Sequence, residues 1–447
     1  MQNIKMRNIF NEKAKLQRWL DIEAALARAE ASLGIIPKEA AAEISAKAKI
    51  ELIDMEFWQK EFKRTIHVIM STVHSLQKIC KGNVGEYIHW GPTSQDIVDT
   101  ANQMAYKAAH QEIFSSLREI ESILLVMADK EADTVMAGRT HGQQALPITF
   151  GFKVAVWIRE IRRHIERMME IRKRLFVGQL CGGVGTYSIL GELGPEVEKQ
   201  ALKDLGLEAP DICWQAAPDR VAEFACLMAM IGATFGKIAN EIYTLQRTEI
   251  REVWEPHPVG RIGSSTMPHK RNPFVCEYCI SLAKRLRYYA PLIIEAMLVE
   301  HERGDGGWYV HRDNMGEMCI VLGDLLTRMT YVIKGIEVHA DIMKENLDML
   351  KGRILSEAVM AEMGKTVGRQ TAHELLFQAL IDVDKMDLSL KEVMKSNRTI
   401  AKHFTDDQID ELLNPERHIG LSFEIAKKIV SMTLMERNGD LIDYHQI

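Results

Sequence analysis

An all-α protein with a long central helical bundle is what this chain predicts, on three observations. Apolar residues recur at spacings of three and four almost throughout, period-2 alternation bounded by turn residues hardly occurs, and several stretches run far without a proline. The first helix is expected in the segment Phe10–Leu33, FNEKAKLQRWLDIEAALARAEASL, which ends at Gly34 and Pro37, the usual stop for an amphipathic helix. The tetrapeptide Thr93-Ser94-Gln95-Asp96 ahead of IVDTANQM has the composition of a helix N-cap. From Thr149 to Phe176 no proline intervenes, so at roughly 1.5 Å per residue a rod of about 40 Å is expected. Similar lengths fit Ala222–Val253, Phe274–Arg303 and Asp313–Met349.

Helices apolar on more than one face must bury them against neighbours, in a bundle or across subunits. A central bundle and a homo-oligomer are therefore expected. Four interruptions rich in glycine or proline punctuate it: HWGPTSQD (89–96), AGRTHGQQALP (137–147), QLCGGVGTYS (179–188) and GRIGSSTMPHKRNP (260–273). The last is small and basic. Near Gly364–Gly368 the helices become shorter and more polar, which suggests a small C-terminal domain.

With 47% hydrophobic and 26% charged residues and a formal net charge of -6, the balance is that of an ordinary soluble protein, with nothing built for nucleic-acid backbones. No apolar run reaches the roughly 20 residues of a membrane span, so no membrane contact is expected. Seven scattered cysteines, behind a charged and polar start, point to a reducing, cytoplasmic compartment. No metal or cofactor is expected. Cys276 and Cys279 form a C-x-x-C, but one pair supplies two of the four ligands a structural zinc needs, and no second pair exists. QLCGGVGTYS lacks the preceding strand of a Rossmann phosphate turn and is read as a turn between helices.

The basic loop carries the chemistry. Ser264, Ser265 and Thr266 bring hydroxyls and backbone N–H groups that can surround an anion, Gly263 permits unusual backbone angles, and Lys270, Arg271 and Asn272 add charge and a donor. Such a loop fits a carboxylate. Its string resembles the signature of the fumarase/aspartase superfamily, GSSxMPxKxNPxxxE, matched in full by Gly263, Ser264, Ser265, Met267, Pro268, Lys270, Asn272, Pro273 and Glu277. GPTSQD and GRTHGQQALP resemble the other two catalytic segments, in the same order, so the likeness spans essentially the whole chain. Within the superfamily the chain resembles the adenylosuccinate lyase and 3-carboxy-cis,cis-muconate cycloisomerase branch.

The resemblance implies anti β-elimination, in which a proton leaves the carbon beside a carboxylate and a leaving group departs from the next carbon, typically releasing fumarate. The conjugate base is a dianion, so preorganised donors aimed at it are the main catalytic requirement. By resemblance Ser264 is the general base, Lys270, Asn272 and the Ser264–Ser265 amides stabilise the dianion, and His141 is the general acid, oriented by Glu277. His67, in RTIHV, falls where adenylosuccinate lyases carry a second histidine, although Val68 replaces the aspartate that often follows. Thr93, Ser94 and Asp96 resemble the substrate-carboxylate clamp. Thr140, Gln215, Arg220, Ser265, Met267, Arg303 and Arg312 fall at substrate-contact positions, and Arg18 and Arg139 are further candidate counter-charges.

The implied reading is an adenylosuccinate-lyase-like C–N cleavage of a succinyl-amine. The alternative is interconversion of a muconate and its lactone, or another polycarboxylate lyase of the branch. Phosphate recognition is weakly supported, because Met6-Arg7-Asn8 and Gly307-Trp308 stand where the purine enzyme has Arg-Tyr and paired serines, with only Arg312 retained. A non-catalytic structural protein is disfavoured by the joint presence of Ser264, His141 and Lys270. The family architecture implies domains over 1–111, 112–363 (signature loop 260–277) and 364–447, and a homotetramer in which three subunits build each site.

Overall fold

The computed structural model describes residues 1–440, and these are all-α: seventeen α-helices and two short two-stranded sheets. The first expected helix is two, Ile4–Phe10 and Glu12–Ser32, because Asn11 ends one and caps the next, its side chain accepting the Ala14 N–H at 2.8 Å. Arg7 anchors the short helix through a double contact with Asp324, at 2.9 Å on each oxygen.

Five long helices form the centre: Ser94–Lys130, Phe150–Leu175, Asp219–Leu245, Phe274–Glu295 and Asp305–Lys334. Phe150–Leu175 matches its expectation to within a residue at each end. The other long helices end earlier than their periodicity suggests. Asp219–Leu245 stops eight residues short of Val253, which instead pairs with Val338 while Trp254 pairs with Glu337. That small ladder also divides the expected Asp313–Met349 helix, which closes at Gly335 and resumes as Ala340–Asp348. Phe274–Glu295 ends one turn after Pro291. Each break is a tertiary pairing or a proline effect that apolar spacing alone does not encode.

Gly232 and Gly236 let Asp219–Leu245 and Phe274–Glu295 approach closely. A Cβ at Gly232 would lie 2.5 Å from Leu286 Cδ1, and one at Gly236 would lie 2.6 Å from the Ala283 Cβ. Asp219–Leu245 is the one described helix long and apolar enough to cross a membrane, and 67% of its apolar window is buried inside the protein.

One continuous cluster of buried side chains runs from Met6 to Val430, and a second, separate one from Val359 to Ile409. The helix Ser422–Glu436 returns to the centre, where Lys427 pairs with Asp129 at 2.7 Å and the following Arg437 pairs with Glu121 at 2.7 Å.

Candidate active site

The segment read as a polar interruption at 137–147 is a β-hairpin, Val135–Thr140 against Gln143–Thr149. Its connection is His141-Gly142, both left-handed at φ 53° and 76°, the two-residue turn whose twist matches the strands it joins. The expectation of a loop missed this because the strands are short and paired only with each other. His141 thus stands exposed at the hairpin tip, and its side chain has no hydrogen-bond partner among the described residues; Thr140, beside it, is also exposed. The hairpin is pinned from below by Arg139, which grips fully buried Glu252 at 2.6 and 2.8 Å. Arg139 is therefore no free counter-charge. Arg18 is not one either: it is mostly buried, donates to the Ile9 carbonyl at 2.9 Å, and desolvation lowers its pKa to about 10.

The signature loop folds back on itself. A Cβ at Gly263 would lie 2.3 Å from the Lys270 carbonyl oxygen and 3.0 Å from Arg271 Cα, so glycine is required there by close approach. The left-handed residue is Gly260, at φ 87°, rather than Gly263. Ser264 is half-buried, and its Oγ accepts the backbone N–H of Met267 at 3.1 Å and of Thr266 at 3.4 Å. Ser265 is exposed. Met267, Lys270, Asn272 and Glu277 line one cleft with Tyr243, Arg247 and Trp254, and neither His141 nor Asp96 reaches it. No hydrogen bond joins Glu277 to His141 within the chain; Glu277 is exposed on the first turn of Phe274–Glu295.

What fixes the loop's base is Glu255, unread in the sequence. It is buried, accepts the Cys276 and Val275 N–H groups at 2.9 and 3.1 Å, and pairs with Arg261 at 2.5 Å. A carboxylate on a helix N-terminus is a favourable arrangement, and an acidic residue just ahead of a basic loop was the available signal.

A second group gathers around Asp96. Thr93 caps Ser94–Lys130 in a capping box, with the Thr93 N–H donating to Asp96 Oδ2 at 3.0 Å. The same carboxylate takes the Gly182 N–H at 2.8 Å, Gln215 Nε2 at 2.8 Å and the Cys181 thiol at 3.7 Å. Asp96 is fully buried and its oxygens are taken up by the protein, so it positions neighbours instead of meeting a ligand. Burial raises its pKa to about 6. Gln215 Oε1 in turn accepts from Arg303 at 3.4 Å. The capping and ligand-binding readings of this segment thus meet in one place, with Thr93 and Ser94 half-buried at the helix start.

Beneath lie two residues that the sequence did not single out. Asp99 is buried, accepts from Gln95 at 2.7 Å and Gln179 at 2.8 Å, and its pKa rises through burial to about 7. Gln179 also accepts the Trp214 N–H at 2.9 Å. Asp99's spacing of three from Asp96, on the same helix face, was the available signal.

Other expected contacts are spent on the protein. Arg220 lies over the Trp214 ring at 5.0 Å and donates to the Arg174 carbonyl at 3.3 Å. Arg312 stacks on Tyr309 at 4.6 Å and Trp308 at 5.1 Å and pairs with its neighbour Asp313 at 2.8 Å. His67 is exposed and caps Val68–Ile79, its Nδ1 accepting the Met70 N–H at 3.3 Å. Cys276 and Cys279 are buried, both thiols pushed up by desolvation, Cys279 to about 12. Among the described residues no cluster of three or more His, Cys, Asp or Glu has a metal-holding arrangement.

The chain matches the family described as Lyase over residues 2–287 and the family described as adenylosuccinate lyase C-terminus over residues 352–429. It is 42% identical over 425 residues to an N-acetyl-S-(2-succino)cysteine lyase of Dickeya dadantii, covering 95% of this chain and 93% of that one. It is 39% identical over 428 residues to an adenylosuccinate lyase of Methanocaldococcus jannaschii, with 95% and 93% covered. The crystal structure of a 3-carboxy-cis,cis-muconate lactonizing enzyme from Pseudomonas putida superposes with a TM-score of 0.91 at 32% identity, covering 100% of this chain and 97% of that one.

Proposed function

The chain belongs to the fumarase/aspartase superfamily and is a β-elimination lyase acting on small polycarboxylates, and from that premise we propose that it releases fumarate from a succinyl group carried on a nitrogen. The observation that carries this reading is the environment of Ser264. A hydroxyl oxygen that already accepts two backbone N–H groups has its alkoxide favoured by the same bonds, which is what a serine base requires.

In this mechanism Ser264 removes the proton beside the substrate carboxylate. Charge then builds on that carboxylate, and Lys270 and Asn272, on the wall of the loop cleft, meet it. The distal carboxylate sits at Thr93 and Ser94, with Gln215 and Arg303 beside them. His141 protonates the departing atom, and Glu277 orients it. As His141, the Asp96 group and the loop cleft are not joined within one chain, we assign them to three subunits of a homotetramer. Apolar side chains on the outward faces of the long helices support this, with Tyr288 82% and Val126 70% exposed. All seven cysteines are unpaired, which suits the reducing cytoplasm expected.

A second reading places sulfur at the leaving position, and one observation favours it. Arg312 is held by two aromatic rings and Asp313, and Trp308 replaces the small residues of a phosphate site, which suits a small thioether better than a nucleotide. The similarity to N-acetyl-S-(2-succino)cysteine lyase points the same way. Purified enzyme assayed for fumarate release from adenylosuccinate, from N-acetyl-S-(2-succino)cysteine and for turnover of carboxymuconate decides among these. Turnover of carboxymuconate alone would overturn the fumarate-releasing reading.

A further inference from the structure

Cys181 and Cys213 have no part in the mechanism above, yet both stand against the Asp96 group. Cys181 Sγ donates to Asp96 Oδ1 at 3.7 Å, and Cys213 Sγ donates to Gln179 Oε1 at 3.7 Å. They face each other around the turn at Gly185, where a Cβ would lie 2.6 Å from Cys213 Sγ and 3.8 Å from Cys181 Sγ. Gly185 is left-handed at φ 79°, so the turn that holds the two sulfurs together needs glycine twice over. Cys181 is fully buried, whereas Cys213 is half-buried and follows Ile212, which is 78% exposed.

The pair also differs from the other thiols in ionisation. The neighbouring Cys181 thiol holds the Cys213 thiol down to about 7, and the same pairing, with burial, pushes Cys181 up. Burial pushes Cys80, Cys226, Cys276, Cys279 and Cys319 up as well. Nucleophilic thiols are those with accessible thiolate, and the best attackers have a pKa near ambient pH. Cys213 is therefore the attacking sulfur and buried Cys181 the resolving one.

We propose that Cys181 and Cys213 are a hydroperoxide-oxidised thiol pair whose reversible disulfide dismantles the Asp96–Gln215 contact and shuts the substrate-carboxylate site. The Cys213 thiolate attacks the terminal peroxide oxygen, the O–O bond breaks, sulfur becomes a sulfenic acid, and the departing oxygen leaves once protonated, as water from hydrogen peroxide or as an alcohol from an organic hydroperoxide. The Cys181 thiol then attacks that sulfenic sulfur; the S–S bond forms, the S–O bond breaks, and hydroxide leaves with the Cys181 proton as water. Two thiols lose two electrons and the peroxide gains them. An S–S bond of about 2.05 Å draws the sulfurs away from Asp96 and Gln179, and Gln215 lies only two residues beyond Cys213. A reducing compartment makes such a bond transient, as expected of a sensor.

The regulatory consequence rests on the assignment of Thr93, Ser94 and Gln215 to the substrate carboxylate. The test treats the full-length oligomer with hydrogen peroxide, blocks free thiols and maps peptides without reduction, alongside the rate of fumarate release. A linked Cys181–Cys213 peptide is expected to appear in step with a loss of about 10²-fold in turnover, the scale of an ångström's misplacement, and dithiothreitol restores the rate. Cys213→Ser should form no link and hold its own starting rate under peroxide, and Cys181→Ser should stop at a dimedone-reactive sulfenic acid on Cys213. Absence of the linked peptide, a link with unchanged turnover, or inactivation of Cys213→Ser as fast as wild type would each overturn the proposal. The peptide is read without substrate, so a reduced enzyme inactive on every succinyl compound would defeat the functional reading and leave the thiol chemistry still decided by the map.

Discussion

Gln215 Nε2 donates to Asp96 Oδ1 at 2.8 Å across 119 residues of sequence. That carboxylate also takes the N–H groups of Thr93 and Gly182, so a helix start, a glycine-rich turn and the WQAAP loop are tied at one buried point. Asp96→Ala leaves the Thr93 and Gly182 N–H groups without their acceptor, while Gln215 Nε2 keeps the Gly182 carbonyl at 3.2 Å. At about 1–3 kcal/mol for each unsatisfied group, we expect a loss of at least about 2 kcal/mol, read by urea unfolding, and a fall in kcat/KM larger than the fraction of enzyme unfolded accounts for.

Asp99 makes a pH prediction. Burial raises its carboxyl from an ordinary value of 3.8 to about 7, so between those values the folded protein holds a proton that the unfolded chain has released. Stability from this group is then fully present below about pH 4 and declines as pH rises toward 7. Asp99→Asn removes that slope, which approaches about 1.4 kcal/mol per pH unit. The melting temperature of the variant should fall less than that of wild type between pH 4 and pH 7; parallel curves would contradict the assignment.

Ser264→Ala tests the base. Ser264 lies in a polar, half-exposed loop, so stability should change by no more than about 0.5 kcal/mol. Turnover should drop by roughly 10²–10⁴-fold. Full activity would remove serine from the base role.

Glu255→Gln separates positioning from chemistry. The substitution keeps an acceptor for the Cys276 N–H but leaves half-buried Arg261 without its charge partner, buried Glu255. Breaking a buried pair costs about 3–5 kcal/mol, so a lower melting temperature is expected together with a lower kcat, because the loop that carries Ser264 loses its anchor. A variant with wild-type kcat would show that the loop holds its place without Glu255.

Mixed oligomers test the shared site. Ser264→Ala and His141→Asn homo-oligomers should each be nearly inactive. Dissociated and reassembled together they should regain measurable turnover, since some sites then draw an intact serine and an intact histidine from different chains. No recovery, with mixed species verified by native mass spectrometry, would place both residues in one chain's site.

The sequence was most legible where chemistry is local. GSSTMPHKRNP identifies a reaction class through its resemblance to the superfamily signature, and its hydroxyls, amides and lysine on one short loop fit the carbanion-forming site that the resemblance implies. It was less legible where a polar residue is defined by what it touches. Asp99, Gln179, Glu252 and Glu255 carry no motif, and their part appears only once the helices bring them to partners that, for all but Gln95 beside Asp99, lie six to more than a hundred residues away.

Spacing of three and four along the chain determined by itself that this is a bundle of long helices, since a helix with an apolar stripe has no other stable disposition. Tertiary structure decided where those helices stop, at the Val253–Val338 pairing and at Gly335, and that GRTHGQ is a hairpin with His141 at its tip. Period-2 patterning over a few residues is too weak a signal to reveal a two-stranded ladder, which forms because each strand completes the other's backbone hydrogen bonds. Only the folded chain shows that His141, Asp96 and Ser264 occupy three separate groups.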